Sequence, residues 1–232
     1  MAVISIVDAP MADVRDMYMA HAALRREFRL LPQLIRDVAS GDAARAAVVG
    51  AHAELVCRIL HTHHEGEDLL LWPKLLQRGG EEAASIVPMM EEQHHAIDRA
   101  HAETTGLLSG WRSSGRGGEE LAGAFEVLLA VLLAHMATEE KWVLPLAEKH
   151  VTAAEWRELG EHGMAALPKS ELPLAFGMAM YEGDPAVVKA VLSHAPLPVR
   201  LLVPVIGRRR YAAHARRVHG TTRPARMGTT LG

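Results

Sequence analysis

The chain has 232 residues, 49% of them hydrophobic and 23% charged, with a formal net charge of −3. That length and balance exclude a disordered polymer and allow a sizeable buried core. A single cysteine, Cys57, excludes a disulfide framework and a thiolate-rich metal site, and favours a reducing, cytoplasmic setting.

The elements read as helices throughout, because Ala, Leu, Glu, Arg and Met dominate and β-branched alternation is scarce. The N-terminal "MAVISIVDAPM" has neither a basic leader nor a long apolar stretch, so no signal peptide is expected. No uninterrupted apolar run approaches the roughly 20 residues that span a bilayer. Helix A is placed at 12–38 and ends near "ASGD"; helix B covers 42–77 and stops at Gly79 and Gly80, with Gly50 a possible bend or later start. Helix C runs 81–113 into the breaker "SSGRGG", and helix D follows at 118–149. Four helices with short connections predict an all-α, up-down-up-down four-helix bundle over 12–150. Pro168, Pro173, Pro185, Pro196, Pro198 and Pro204 then divide residues 151–220 into short helices packed on the bundle, and 221–232 reads as a flexible basic tail. Every carboxylate lies at or before Asp184, where the balance is −12; beyond it stand one lysine and eight arginines, +9. Such a tail folds back on an acidic body or meets an anionic partner; a nucleic-acid contact is left open.

Fourteen histidines outnumber the ten Phe, Tyr and Trp together, more than acid–base catalysis needs. Two fragments concentrate them: "HTHHEGEDLLLWP" from His61 and "HMATEEKWVLP" from His135. Both contain H-x-x-x-E-[D/E]-x-x-x-x-P, as His63, Glu67, Asp68 and Pro73, then as His135, Glu139, Glu140 and Pro145. Residues four apart share a helix face. His63 and Glu67 share theirs with Val56, Ile59, Leu60, Leu70 and Leu71; His135 and Glu139 share theirs with Leu128, Val131, Leu132, Trp142 and Val143. A carboxylate on an apolar stripe costs several kcal/mol to bury unless it is paired or bound to a cation. His21 on helix A and His94 on helix C occupy comparable stripes. The series His21, His63, Glu67 repeats as His94, His135, Glu139 with offsets of 73, 72 and 72. Counted from the turns at about 1.5 Å per residue, all four helices offer these side chains at one level. Four imidazoles and two carboxylates exceed the four donors of one zinc ion and suit two metals bridged by carboxylates; imidazole-plus-carboxylate donors fit iron better than calcium or magnesium. His61 and Glu65 share a face with Arg58 and read as solvated, His64 is placed at the flank of the site, and His95 is expected to face away. The fragment "HHEGED" is not H-E-x-x-H, so a zinc protease is excluded.

With "HAALRRE" at His21, "LLLWP" after Glu67, "EEQHHAI" around His94 and "VLP" after Glu139, the chain resembles the hemerythrin-like (HHE cation-binding) family over about 12–150. The tail "GRRRYAAHARRVHGT" is similar to extensions of actinobacterial members. The resemblance implies a non-haem centre of two iron ions, oxo- or hydroxo-bridged, with Glu67 and Glu139 bridging and His21, His63, His94 and His135 as terminal ligands. It also implies reversible binding or reduction of dioxygen, nitric oxide or peroxide, in a response to oxidative or nitrosative stress. Oxygen carriers of the family place a second histidine four residues after the helix C histidine; here that position is Asp98. Either Asp98 ligates, or His101 reaches in, or the centre has four imidazoles. Added anionic donors favour the ferric state, which turns the expectation towards redox chemistry, peroxidase- or catalase-like or nitric-oxide-handling, rather than oxygen storage. The alternative is a non-enzymatic iron or oxygen sensor whose basic C-terminal region binds a partner.

Overall fold

Alanine- and leucine-rich segments with capping residues at their ends give ten α-helices and no strand among the described residues, which in this computed structural model are 9–193 and 195–226. Residues 1–8, where a leader would lie, His194, and the tail beyond 226 fall outside them. Helix α1 (Arg15–Arg36) carries Asp16 in its first turn and Arg36 in its last, each complementing the helix dipole. Helix α2 (Ala43–Gly66) starts at Asp42, whose carboxylate accepts the Arg45 backbone N–H. It continues through a π turn (Glu67–Leu71) into α3 (Trp72–Arg78). Helix α4 (Gly80–Ser114) stops at Gly115, which holds the left-handed conformation (φ 65°) that glycine adopts without cost. Helix α5 (Gly118–Thr138) leads through a second π turn (Glu139–Val143) into α6 (Leu144–His150). The expected boundaries thus agree within a few residues. Gly50 marks no break: it lies inside α2, close under the Arg112 side chain.

The α1, α2–α3, α4 and α5–α6 rods close into a ring, α1 on α2 and α5, α4 on α2 and α5, which is the expected all-α four-helix bundle. Its interior has two apolar clusters. One gathers Leu24, Phe28, Leu60, Ile97, Phe125, Leu128, Leu132 and Met136; the other gathers Met17, Leu71, Trp72, Val87, Met90, Val143 and Leu144. On every rod the sequence between the two clusters supplies His21, His63 to Glu67, His94, or His135 to Glu139. The rod Gly118–His150 is long and apolar enough to cross a membrane by length and composition alone; it is also the bundle's fourth member and carries His135 and Glu139 inward.

Four further helices cover one side of the bundle: α7 (Ala153–Ala165), α8 (Leu172–Glu182), α9 (Pro185–Ser193) and α10 (Leu197–His219). Thr152 and Glu155 form a reciprocal capping box at the start of α7. Pro173, Pro185 and Pro198 open helices, where a missing N–H is harmless. Pro204, expected to divide the chain, instead lies within α10, which runs 23 residues. Packing compensates the lost hydrogen bond. α10 crosses α8 at Gly177 and Gly207, so closely that a methyl on Gly177 would overlap the Gly207 carbonyl.

Candidate metal centre

The two H-x-x-x-E repeats coincide with the two π turns, each of which begins at the glutamate. A proline ring clashes with the carbonyl four residues earlier in a regular helix. A widened turn ahead of Pro73 and Pro145 relieves that clash: Trp72 and Leu144 donate five residues back, to the carbonyls of Glu67 and Glu139. The extra residue also rotates the downstream helix. Leu71 and Val143 are buried as expected, but Trp72 and Leu144 join them inside in place of Leu70, which is half-buried, and Trp142, which is 44% exposed. Such turns recur at functional sites because they re-aim side chains.

Between the clusters lie His21, Glu67, His135 and Glu139 at 0% exposure, with His94 and His64 at 3 and 4% and the His63 side chain at 13%. Two groups of possible ligand atoms overlap. His64, Glu67, His94 and His135 form one; His21, His63, Glu67 and Glu139 form the other. Glu67 belongs to both. Its Oε1 lies 3.2 Å from His63 Nε2 and its Oε2 lies 3.3 Å from His94 Nε2. Glu139 Oε2 lies 3.1 Å from His21 Nε2 and 3.6 Å from His135 Nε2, so it too spans the halves. Both oxygens of Glu67 and of Glu139, both ring nitrogens of His135, and Nε2 of His64 and His94 are buried without a hydrogen-bond partner. Buried polar atoms are normally satisfied. Donors on a metal at 2.0–2.2 Å sit about 3.3 Å apart, so these separations and orphaned atoms fit a pair of cations.

The second acid of each motif has its own task. Nδ1 of His94 donates to Asp68 at 2.7 Å, and Nδ1 of His21 donates to Glu140 at 2.8 Å. Each proton on Nδ1 leaves the Nε2 lone pair facing the centre, and the hydrogen bond fixes the ring. Trp72 Nε1 donates to Asp68 and Arg25 to Glu140, so the acceptors are held in turn. The two halves are cross-linked: the acid beside Glu67 steadies the α4 histidine, and the acid beside Glu139 steadies the α1 histidine.

Burial opposes charge on every group here, and neighbours decide the outcome. Against burial, Glu139 and Glu140 raise His21 to about 9, and Asp68 and Glu67 raise His94 to about 9. Burial lowers His135 to about 3 and takes His64 well below the ordinary imidazole range, with neighbouring imidazoles adding to the effect. A metal ion bound through Nε2 of His21 and His94 would displace any proton those atoms hold.

The structure brings His21, His63, Glu67, His94, His135 and Glu139 to one layer. It also brings His64, which sequence reasoning placed at the flank. His64 stacks on His94 with ring centroids 4.3 Å apart and lies 4.8 Å from His135. Its signal was position: His64 precedes Glu67 by three residues, as His63 does by four, and both spacings reach one helix face. Asp98 is exposed, outside the layer, because its place on α4 turns to solvent. His101 stacks on His61 at 6.2 Å, also outside it. His61, Glu65 and His95 are exposed, as expected. The Tyr18 hydroxyl reaches only the Glu140 backbone carbonyl, at 3.4 Å.

His63 also borders a cavity of about 520 Å³ between α1, α2 and the helices α7 to α10, whose walls include Met17, Ile59, Leu159, Phe176 and Val191. Compared with known proteins, residues 12–147 match the family model for the hemerythrin HHE cation-binding domain. No match was found among the curated proteins or the solved structures.

Proposed function

The chain belongs to the hemerythrin HHE cation-binding family, and from that premise we propose that it is a non-haem di-iron protein that binds or reduces a small ligand: dioxygen, nitric oxide or peroxide. One observation carries the reading. Two ligand groups share Glu67, and together they offer five imidazoles and two carboxylates, all buried or nearly so, with orphaned donor atoms. His64, His94 and His135 would hold one iron; His21 and His63 would hold the other; Glu67 and Glu139 would join them. Mixed imidazole and carboxylate donors suit iron. When bound, an iron pair supplies one or two electrons to a small ligand.

The protein's own contribution is asymmetric. Three imidazoles crowd one position and two serve the other, so the two-imidazole side keeps more room for a ligand. That side includes His63, on the wall of the apolar cavity. A cavity walled by methionine and aliphatic side chains admits small neutral molecules and disfavours ions, which lose their hydration on entry. His21 and His94, held through Nδ1, fix the layer from the two neighbouring rods. Peroxidase- or catalase-like turnover, or the handling of nitric oxide under oxidative or nitrosative stress, is consistent with this entrance.

Purified protein should contain about two irons per chain, and its optical spectrum should change on addition of peroxide or nitric oxide. The double substitution His63→Ala with His135→Ala should abolish both. Full iron loading in that variant would remove these residues from the site, and an iron-loaded protein indifferent to all three ligands would overturn the functional reading.

A further inference from the structure

The layer above does not exhaust the buried histidines. His52 lies eleven residues before His63 on α2, about 16 Å away along the axis, and is fully buried beside Glu27 of α1. His219, at the last turn of α10, completes the group. Ligand atoms of Glu27, His52 and His219 lie within 4.8 Å of one another. Nε2 of His52 is 3.3 Å from Glu27 Oε2, and Nε2 of His219 is 3.9 Å from the same oxygen. All three atoms are buried, and none makes a hydrogen bond.

We propose that Glu27, His52 and His219 form a second, mononuclear site for a divalent transition metal, of the zinc or iron(II) class, that fastens the end of α10 to the bundle. The surroundings are built for it. Arg26 engages Glu27 Oε1, which leaves Oε2 facing the two rings. His52 Nδ1 is paired with His214 Nε2 at 3.0 Å; with the proton on His52 Nδ1, the Nε2 lone pair is turned towards Glu27. Metal bonds of about 2.0–2.2 Å set tetrahedral edges of about 3.3–3.6 Å. The His52 to Glu27 separation of 3.3 Å matches one, and the His219 to Glu27 separation of 3.9 Å requires the His219 ring to close in slightly, leaving a fourth position for water. Two imidazoles and one carboxylate are a donor set for zinc or iron(II) rather than for calcium or magnesium.

Charge points the same way. Arg26, fully buried, is shared between two buried acids, Glu27 and Glu182. A cation among Glu27, His52 and His219 would stand against these acids and satisfy three orphaned atoms together.

The test is a count of bound cobalt(II), a spectroscopic stand-in for zinc, by equilibrium dialysis of the metal-stripped full chain. His219→Ala should bind one equivalent fewer than the parent and lose the visible band of that site, while keeping its iron content at the central layer. Glu27→Gln, which keeps the side chain's size, should lose the same equivalent and guards against a folding artefact at α10. The difference of one stands whatever the central layer binds, so the outcome is separable from the di-iron reading. Equal cobalt counts in the parent and both variants, the result if a proton alone occupies the cluster, would overturn the proposal.

Discussion

At the scale of single residues, the centre depends on side chains that have no stable alternative. A buried carboxylate or imidazole without a partner costs roughly 1–3 kcal/mol or more, and Glu67 and Glu139 each present two such oxygens. Asp68 and Glu140 act one bond further out, through His94 and His21. Asp68→Asn or Glu140→Gln should therefore leave the fold intact and weaken metal affinity about 10- to 100-fold, which a chelator competition would read. His64→Leu should lower the iron count, whereas Asp98→Asn should not, because Asp98 is exposed. Equal losses in both would sink the assignment of His64. Six members of the layer were legible on apolar stripes, His63 with Glu67 and His135 with Glu139 as residues four apart and His21 and His94 singly, the series repeating 72 or 73 residues on. His64 was not, because a regular helix separates adjacent residues by about 100° and the repeat offers Met136, not histidine, at its equivalent place. A site with two metal positions, as proposed, would accept side chains from both directions.

At the scale of elements, the helix boundaries were legible because Gly79, Gly80, Gly115 and Asp42 terminate or cap by simple chemistry. The π turns were not. Their cause lies in how Pro73 and Pro145 fit against backbone carbonyls, and periodicity alone counts straight through them; Trp142 was consequently assigned to the wrong face. Pro204 was read as a divider for the same reason, since the glycine contact of α8 with α10 joins residues 30 apart in sequence. That contact is testable. Gly177→Ala should destabilise the packing of α10 by about 1–3 kcal/mol, lowering the melting temperature; no change would show that the crossing tolerates a methyl.

The junction of α3 with α7 carries a pH dependence. Arg78 donates to both oxygens of Glu155, at 2.8 and 2.7 Å, and chiefly holds Glu155 near 2 against an ordinary value of 4.5. A carboxylate whose folded value is depressed stabilises fully above its unfolded value and loses that contribution as pH falls through the folded one. Stability should therefore decline between about pH 4.5 and 2, and Glu155→Gln should flatten that part of the curve in thermal melts recorded against pH. An unchanged curve would remove the pair from the account.

At the scale of the whole molecule, a polar layer divides the core into two apolar clusters, an arrangement that becomes favourable only when the layer's charges are shared. Chelation should therefore lower the melting temperature, because a cation bound only by the folded state stabilises it by mass action. The extension α7 to α10 walls the cavity at His63, encloses the Glu27, His52 and His219 cluster, and brings Glu155 to Arg78. The bundle carries the His and Glu layer, and the extension walls the cavity that His63 borders.

The most direct measurement is the iron count of Glu67→Ala beside the parent, because Glu67 alone belongs to both ligand groups. About two irons per chain in the parent, and close to none in the variant, is the predicted result. Two irons retained without Glu67 would contradict a centre built on that shared carboxylate.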